Sequence, residues 1–413
     1  MCDEQGALVA EQNLLAEVSV PLRIGMNMNR ADWLSHEDLV LEGIDVEPNA
    51  KVAPDDTALL IYTSGTTGDP KAAMISHRGL VENCLASARH AIEVDETDTI
   101  LCVMPLFHVG GLCYYLLAAF AAGSTSILRP TFDVSDVIRS LEQFAITNIH
   151  LVPTMVADLM ADGGAAKAAV SLRRIVYAGS AMPIALLERA MRVFRSVKFS
   201  QSYGSTEGGI ISSLGPDAHG VAASSASNAH LLQSCGKPIG DCAVRIVKDD
   251  GSDAVSNEPG EVLVRSPRTM GGYWNRPDRT AEAFIGSYLR TGDIGYRDAA
   301  GFLYLIDRRN DMIVSGGENV FPSEVEQVLY RHAGVAEAAV FGLADPRWVE
   351  RVVAAVVLRP GAEASERDLI AFTRKHLAAY KCPKEIFTVP DLPRTGVGKV
   401  SRKMLRNQFG NRA

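Results

Sequence analysis

The sequence predicts an α/β fold with a mainly parallel sheet, and three features of its texture lead there. Short apolar strands alternate with helical patterns through the first half of the chain. After about Ser234 the pattern changes to short strands separated by Gly and Asp turns. A compact strand–helix unit then closes the chain. At 413 residues, 47% hydrophobic and 22% charged, the chain is long enough for more than one domain and can build a large core.

The elements follow in order. The first fifty residues carry no strong periodicity and end in the polar run "EPNAKVAPDD". "ALLIYTS" and "AAMIS" read as strands on either side of a loop, and "GLVENCLASARHAI" as the helix after them. "TILCVMPL", "STSILRP", "ITNIHLVP" and "LRRIVYAGS" read as buried strands, with "VSDVIRSLEQFA" and "ALLERAMRVFRS" as helices between them. "GKPIGDCAVRIVKDDGS" and "GEVLVRSP" read as antiparallel strands. "GFLYLIDRRNDMIVSGGENVFPSEVEQVL" runs strand, charged connector, strand, Gly-Gly loop and helix, and "VAEAAVFGLAD", "RVVAAVVL" and "SERDLIAFTRKHLA" complete the last unit. The polar run Asp307–Asp311 is the expected boundary, dividing the chain into 1–309 and 310–413; by composition alone it is equally well an ordinary charged turn.

Bulk chemistry excludes several classes. A net charge of −8 argues against nucleic acid as the main partner. Seven cysteines, scattered without CxxC pairs, read as reduced thiols of a cytoplasmic protein. Leu101 to Leu128 is long enough to span a membrane, but Pro105, His108, Gly110 and Gly111 interrupt it. The remaining stretch, Leu112 to Ala122, suits a buried helix, so no transmembrane segment is expected.

The most informative stretch is "YTSGTTGDPK", Tyr62 to Lys71. Glycines free successive N–H groups, hydroxyls add donors and a lysine adds charge, a combination suited to an oxyanion such as phosphate. The spacing is not that of a Walker A loop. Taken alone, the stretch is equally well an ordinary Gly/Ser/Thr turn.

The chain resembles the adenylate-forming superfamily, which includes acyl-CoA synthetases, luciferases and peptide adenylation domains. Besides "YTSGTTGDPK" the resemblance rests on "MPLFHVGGL", "YAGSAMP", "QSYGSTEGG", "YLRTGDIGY", "DRRNDMIVSGGENVFPSEVE" and "PRTGVGKVSRK", in that order from Asp55 to Arg406. It implies a large N-terminal domain with a small β-barrel-like part, and a small mobile α+β C-terminal domain. It also implies an ATP-dependent acyl-CoA synthetase: a carboxylate attacks the α-phosphate of ATP, and coenzyme A then displaces AMP to give a thioester. A nucleotide-binding protein without turnover, and an adenylating enzyme acylating a carrier-protein thiol, are the alternatives. The oligomeric state stays open.

The resemblance also implies roles. Thr63, Ser64, Gly65, Thr66, Thr67, Gly68 and Lys71 would hold the β- and γ-phosphates. Glu207 would bind Mg²⁺, as a hard cation prefers carboxylate oxygen. Thr206 would bond the α-phosphate and Tyr203 would stack on adenine beside Gly179, Ser180 and Ala181. Asp293 would accept from the ribose hydroxyls, with Arg308 near it. His108 would position the acid. Lys399, on an exposed loop, would enter to neutralise charge on the carboxylate and α-phosphate. Asn310 matches the hinge, where relatives usually carry Asp or Lys, and Gly316 and Gly317 would flank the thiol tunnel. Residues near His108, Tyr177 to Gly179 and Ser202 to Gly209 would line the acyl pocket, with Tyr177, Gly208 and Gly209 suggesting room for a fatty or ring acid. In typical relatives the phosphate loop lies on the order of a hundred residues further in, so a shortened first subdomain is expected.

Overall fold

The computed structural model describes residues 22–28, 30–43, 46–47, 49–64 (the side chain of Ser64 excepted), 70–395 and 399–410. The chain forms two compact units, Met1–Val52 and Ala53–Ala413. In the first, β1 (Ile24–Gly25) pairs in parallel with β2 (Leu34–Ser35). Helix α1 (His36–Glu42) follows, capped by Ser35, whose hydroxyl accepts from the Asp38 N–H.

The second unit opens with a hairpin, β3 (Thr57–Ser64) and β4 (Pro70–Ser76), which form a two-stranded antiparallel sheet separate from the parallel one. The expected parallel sheet therefore begins later. Helix α2 (His77–His90) starts where Ser76 accepts from the Gly79 N–H. Strands β5 (Thr99–Cys102), β6 (Thr125–Leu128), β7 (Asn148–Leu151), β8 (Arg174–Tyr177) and β9 (Lys198–Ser205) form the parallel part of a seven-stranded sheet. Two antiparallel strands, β10 (Gly209–Leu214) and β11 (Lys237–Pro238), extend it. Between β5 and β6 runs α3, residues 109–121, whose middle turn Leu112–Leu116 is a π-helix. Helices α4 (Val134–Gln143), α5 (Pro153–Ala161) and α6 (Ile184–Val193) connect the later strands.

Side chains alternate between the faces of a strand, and this sorts the core. Ile149, Leu151, Ile175, Tyr177 and Phe199 pack on one face with Val137, Leu141 and Leu187 of the helices. Ile100, Cys102 and Val176 pack on the other, against Tyr115, Ala118 and Ala119 of α3 and Cys84 and Ala88 of α2. The stretch weighed as a membrane span is thus the cover of one sheet face, and no helix among the described residues is long and apolar enough to cross a membrane.

A half-barrel-like antiparallel sheet follows: β12 (Ala243–Val247), β13 (Gly260–Arg265), β14 (Phe284–Ile285), β15 (Tyr288–Arg297) and β16 (Leu303–Arg308). One 3₁₀ turn, Arg309–Asp311, leads out of it. The C-terminal sheet contains β17 (Ile313–Ser315), β18 (Glu318–Val320), β19 (Val335–Asp345), β20 (Val349–Leu358) and β21 (Glu385–Thr388). Helices α7 (Pro322–Leu329), α8 (Glu366–Arg374) and α9 (Arg402–Gly410) pack on it through Val325, Leu329, Leu369, Leu405 and Phe409.

Candidate active site

The stretch expected to hold phosphate is carried by the β3–β4 hairpin. Thr63 lies opposite Lys71 and Ser64 opposite Pro70, and the Thr63 hydroxyl donates to the Lys71 carbonyl at 3.4 Å. Gly65, Thr66, Thr67 and Gly68 lie outside the described residues. A segment that sequence reasoning missed completes this platform. The Met74 N–H donates to Gly272 O, and the Gly271 and Trp274 N–H groups donate to Met74 O and Ala72 O, so residues 271–274 run along β4. This brings the Tyr273 ring to 4.8 Å from Lys71 Nζ, and its hydroxyl donates to Glu207 Oε1 at 2.8 Å. Burial, then the charge of Glu207, pushes the phenol well up, so it stays a donor. The signal lay in "MGGYWNRPD": two glycines before two aromatics is unusual for a plain turn.

Glu207 sits in the turn between β9 and β10. The Tyr114 hydroxyl donates to Ser205 O at 2.5 Å, the Gly208 N–H to Ser205 Oγ at 2.9 Å, and the Met270 N–H to Glu207 O at 2.8 Å. Thr206 is half-buried in the same turn. Gly208 and Gly209 do not make room for a substrate. A Cβ on Gly209 would stand 2.6 Å from Cβ of Arg268, and the buried Arg268 donates to Ile210 O and Ile239 O. Tyr177 is no pocket wall either: it is fully buried on the opposite sheet face, its hydroxyl 2.9 Å from His219 Nε2. Alternation along β8 sends it there, a consequence of register that the motif does not carry.

Asp293 on β15 stands opposite Arg308 on β16. Its carboxylate accepts from the Tyr203 hydroxyl at 2.6 Å and lies 3.4 Å from Arg308 Nε. Burial raises its pKa, while Arg308 and the Tyr203 hydrogen bond oppose the rise. Tyr203, expected at the adenine, is thus held by the carboxylate expected at the ribose.

Lys399 is not a solvated C-terminal charge. The Thr395 N–H donates to Lys399 O at 2.8 Å, and Arg394 bridges Val400, so the lysine rides a short loop. Arg394 is held by Glu337 at 2.6 Å. The Lys399 stem comes so near Gly179 that a Cβ there would lie 3.6 Å from its Cε. Burial first, then repulsion from Arg308, lowers its pKa, and Asp293 and Glu207 act in the other direction. Gly179 has φ +88°, in the left-handed region, and with Ser180 and Ala181 it lies exposed on the rim.

His108 caps α3: its Nδ1 accepts from the Gly110 N–H at 3.1 Å, so a proton on the neutral ring sits on Nε2. Burial, with the charge of Lys399, lowers its pKa to about 4. A ring neutral at pH 7, whose Nε2–H has no partner among the described residues, can donate to an acid oxygen and is poorly suited to take up a proton, in keeping with a positioning role. Lys399, His108, Asp293 and Glu207 thus share one electrostatic neighbourhood.

Gly316 and Gly317 stand elsewhere. They cap the β17–β18 hairpin with φ +63° and +87°, the two positive values a type I′ turn needs, and their contacts are Trp348 and open space. Asn310 is exposed in the 3₁₀ turn. Before it, Arg309 pairs with Asp249 and Glu261; after it, Asp311 pairs with Arg402 and Arg406.

Two family models match this chain: AMP-binding enzyme over residues 3–274, and AMP-binding enzyme C-terminal domain over residues 324–399. The chain belongs to the AMP-binding enzyme family. Among its relatives, a 2-succinylbenzoate–CoA ligase of Bacillus velezensis is 40% identical over 88% of this chain and 71% of its own length. An indoleacetate–CoA ligase of Aromatoleum aromaticum is 36% identical over 96% of this chain and 76% of its own. Among solved structures, the ATP-bound MatB of Rhodopseudomonas palustris superposes with a TM-score of 0.86 at 25% identity, covering 99% of this chain and 78% of that one. The apo form of the same protein, at the same coverage and identity, reaches 0.72.

Proposed function

We propose that the chain is an ATP-dependent acid–thiol ligase that activates a carboxylic acid as its acyl-adenylate and then forms a coenzyme A thioester. The observation that carries this reading is the delivery of Lys399, from the C-terminal part, into the cluster of His108, Asp293, Glu207 and Gly179. The lysine and the His108 Nε2–H face the place where charge develops on the acid and α-phosphate. Tyr203, Asp293 and Arg308 suit the nucleoside, and Lys71 with the hairpin loop suits the β- and γ-phosphates.

Mg²⁺ fits the donor set. It keeps several waters and needs only one or two carboxylates besides substrate phosphates. Glu207 supplies one such carboxylate, oriented by Tyr273. The bound ion would draw charge from the phosphate oxygens; this chain's part is to fix Glu207 and Lys71 on either side of Tyr273.

Asn310 is the pivot of this reading, with 1–309 and 310–413 as the parts that rotate, since its neighbours are tied by ion pairs in opposite directions. Gly316 and Gly317 would replace Lys399 at the site for the thiol step. The acid is read as fatty or ring-bearing, and the names of the succinylbenzoate and indoleacetate relatives lean toward a ring. Six described cysteines, all free and buried, support a reducing, cytoplasmic setting.

A different acceptor is the second reading. One relative is a fatty acid–[acyl-carrier-protein] ligase of Streptomyces coeruleorubidus, 36% identical over 89% of this chain. A structure of an amide bond synthetase from Marinactinospora thermotolerans superposes at a TM-score of 0.85 with 30% identity.

The test is pyrophosphate release from ATP and Mg²⁺ with fatty and aromatic acids, with and without coenzyme A, beside Lys399→Ala. Acid-dependent release that collapses in the variant and proceeds to thioester with coenzyme A supports the ligase. ATP binding without release by any acid overturns it in favour of a nucleotide-binding protein. Release without thioester points to the other acceptors.

A further inference from the structure

The face of the sheet beneath α3 carries polar groups that nothing in the adenylation chemistry uses. His150, on β7, is 4% exposed, and neither ring nitrogen makes a well-formed hydrogen bond to a described residue, although the Gly110 backbone approaches it. The Oγ of Ser202, on β9, is likewise buried and unbonded. In register His150 pairs with Val176 and Val176 with Ser200, so Ser202 lies on the same face, one step nearer the carboxyl ends of the strands. In open α/β sheets that is the end where ligands bind.

His150 adjoins the place expected for the acid. Its Cε1 would lie 3.8 Å from a Cβ on Gly110, and His108 Nδ1 would lie 3.2 Å from the same Cβ; lacking a side chain, Gly110 lets both imidazoles pack closely against its backbone. Tyr115 tilts over His150 with ring centroids 5.4 Å apart. Tyr115 belongs to the π-helical turn of α3, a rare geometry that is frequent at functional sites. Burial holds the His150 imidazole near a pKa of about 4, so at neutral pH it is an uncharged donor and acceptor.

A buried imidazole without partners opposes folding, because a desolvated polar group forfeits its hydrogen bonds to water. A bound ligand that supplies the missing bond removes that cost. We propose that His150 and Ser202 form the selective end of the acyl chamber and that the acid carries a neutral oxygen substituent, a hydroxyl or a keto group, which His150 meets. A hydrocarbon end would leave the imidazole dry and unpaired. A second carboxylate would bury a charge that an uncharged ring cannot balance. This inference rests on the ligase reading for the identity of the ligand and refines its substrate class.

The experiment uses acids matched in pairs: cinnamate with 4-hydroxycinnamate, phenylacetate with 4-hydroxyphenylacetate, and decanoate with 10-hydroxydecanoate. Acid-dependent kcat/KM and the ligand-induced shift in Tm are measured for wild type, His150→Leu, His150→Gln and Ser202→Ala. We expect at least one oxygen-bearing acid to be preferred by roughly tenfold to a hundredfold, since a site built around a hydrogen bond rejects the analogue lacking it. His150→Leu should cancel or reverse that preference. His150→Gln, which keeps a donor and an acceptor, should retain part of it, and Ser202→Ala should reduce it. Equal handling of all pairs by wild type, or a preference unchanged in His150→Leu, overturns the proposal. If no acid is turned over but the wild-type Tm shift still favours the oxygen-bearing acids and His150→Leu abolishes it, the ligase reading fails while the chamber's selectivity stands.

Discussion

At the scale of single residues, the site depends on groups held away from their ordinary protonation behaviour. Lys399 has its pKa lowered chiefly by burial, yet the role proposed for it requires the ammonium form. The alkaline limb of kcat/KM for adenylation should therefore fall below the usual lysine range, and Lys399→Arg should move it beyond reach. Lys399→Ala should lower adenylation by about 10²–10³-fold, the usual effect of removing a group that meets transition-state charge. His108, held at about 4, should contribute no acid limb near 6.5. A profile with a limb there would mean that the ring exchanges a proton in the reaction. Buried histidines also set acid stability. His150 and His219 both have pKa values lowered to about 4. The unfolded chain takes up protons first as pH falls below 6.5, so stability is full above that value and declines down to about 4. Each contributes on the order of 3 kcal/mol over the full interval. Urea midpoints at pH 7 and pH 5 should differ accordingly, and His219→Gln should flatten the dependence.

Elements place these residues through hairpins and register. The candidate phosphate loop stood out through the resemblance its motif carries, but the partner of β4 did not. Residues 271–274 lie some two hundred positions away, and nothing local marks Tyr273 as the donor to Glu207. Tyr273→Phe should slow adenylation more than it weakens ATP binding, as seen in a kcat effect larger than the KM effect. The Gly316–Gly317 turn provides a second handle at this scale. Gly316→Ala would force an L side chain to φ +63° and set its Cβ 2.8 Å from Trp348 Cε3. Single-turnover pyrophosphate release should survive this change, whereas thioester formation should fall. Equal loss of both would show that the turn has no separate part in the second half-reaction.

Over the whole molecule, the proposed two-step reaction turns on how the C-terminal part meets the rest. Asp158 on α5 feels the charges of Arg394 and Asp391 from the Lys399 loop region, and the ion pairs of Arg309 and Asp311 grip the connector on both sides of Asn310. If rotation at Asn310 separates the half-reactions, Asn310→Pro should leave adenylation within a few-fold of wild type and slow thioester formation by an order of magnitude or more, because proline fixes φ. Stopped-flow measurement of the two steps would show it.

By itself the sequence determined the α/β class and the order of the main strands and helices, because apolar periodicity is a local property, and its motifs named the residues expected to meet ATP. Lys399 illustrates the limit. Its motif named it, but as an exposed lysine, and only the packing of a distant loop against Gly179 gave it a lowered pKa and a position beside Asp293 and His108. The same holds for His150, an unremarkable histidine in an apolar strand. Register turned it toward α3, the missing side chain of Gly110 let it pack close beside His108, and the π-helical turn brought Tyr115 over its ring. Burial and contact between segments far apart in the chain set the electrostatics of this site, and those are properties of the tertiary structure alone.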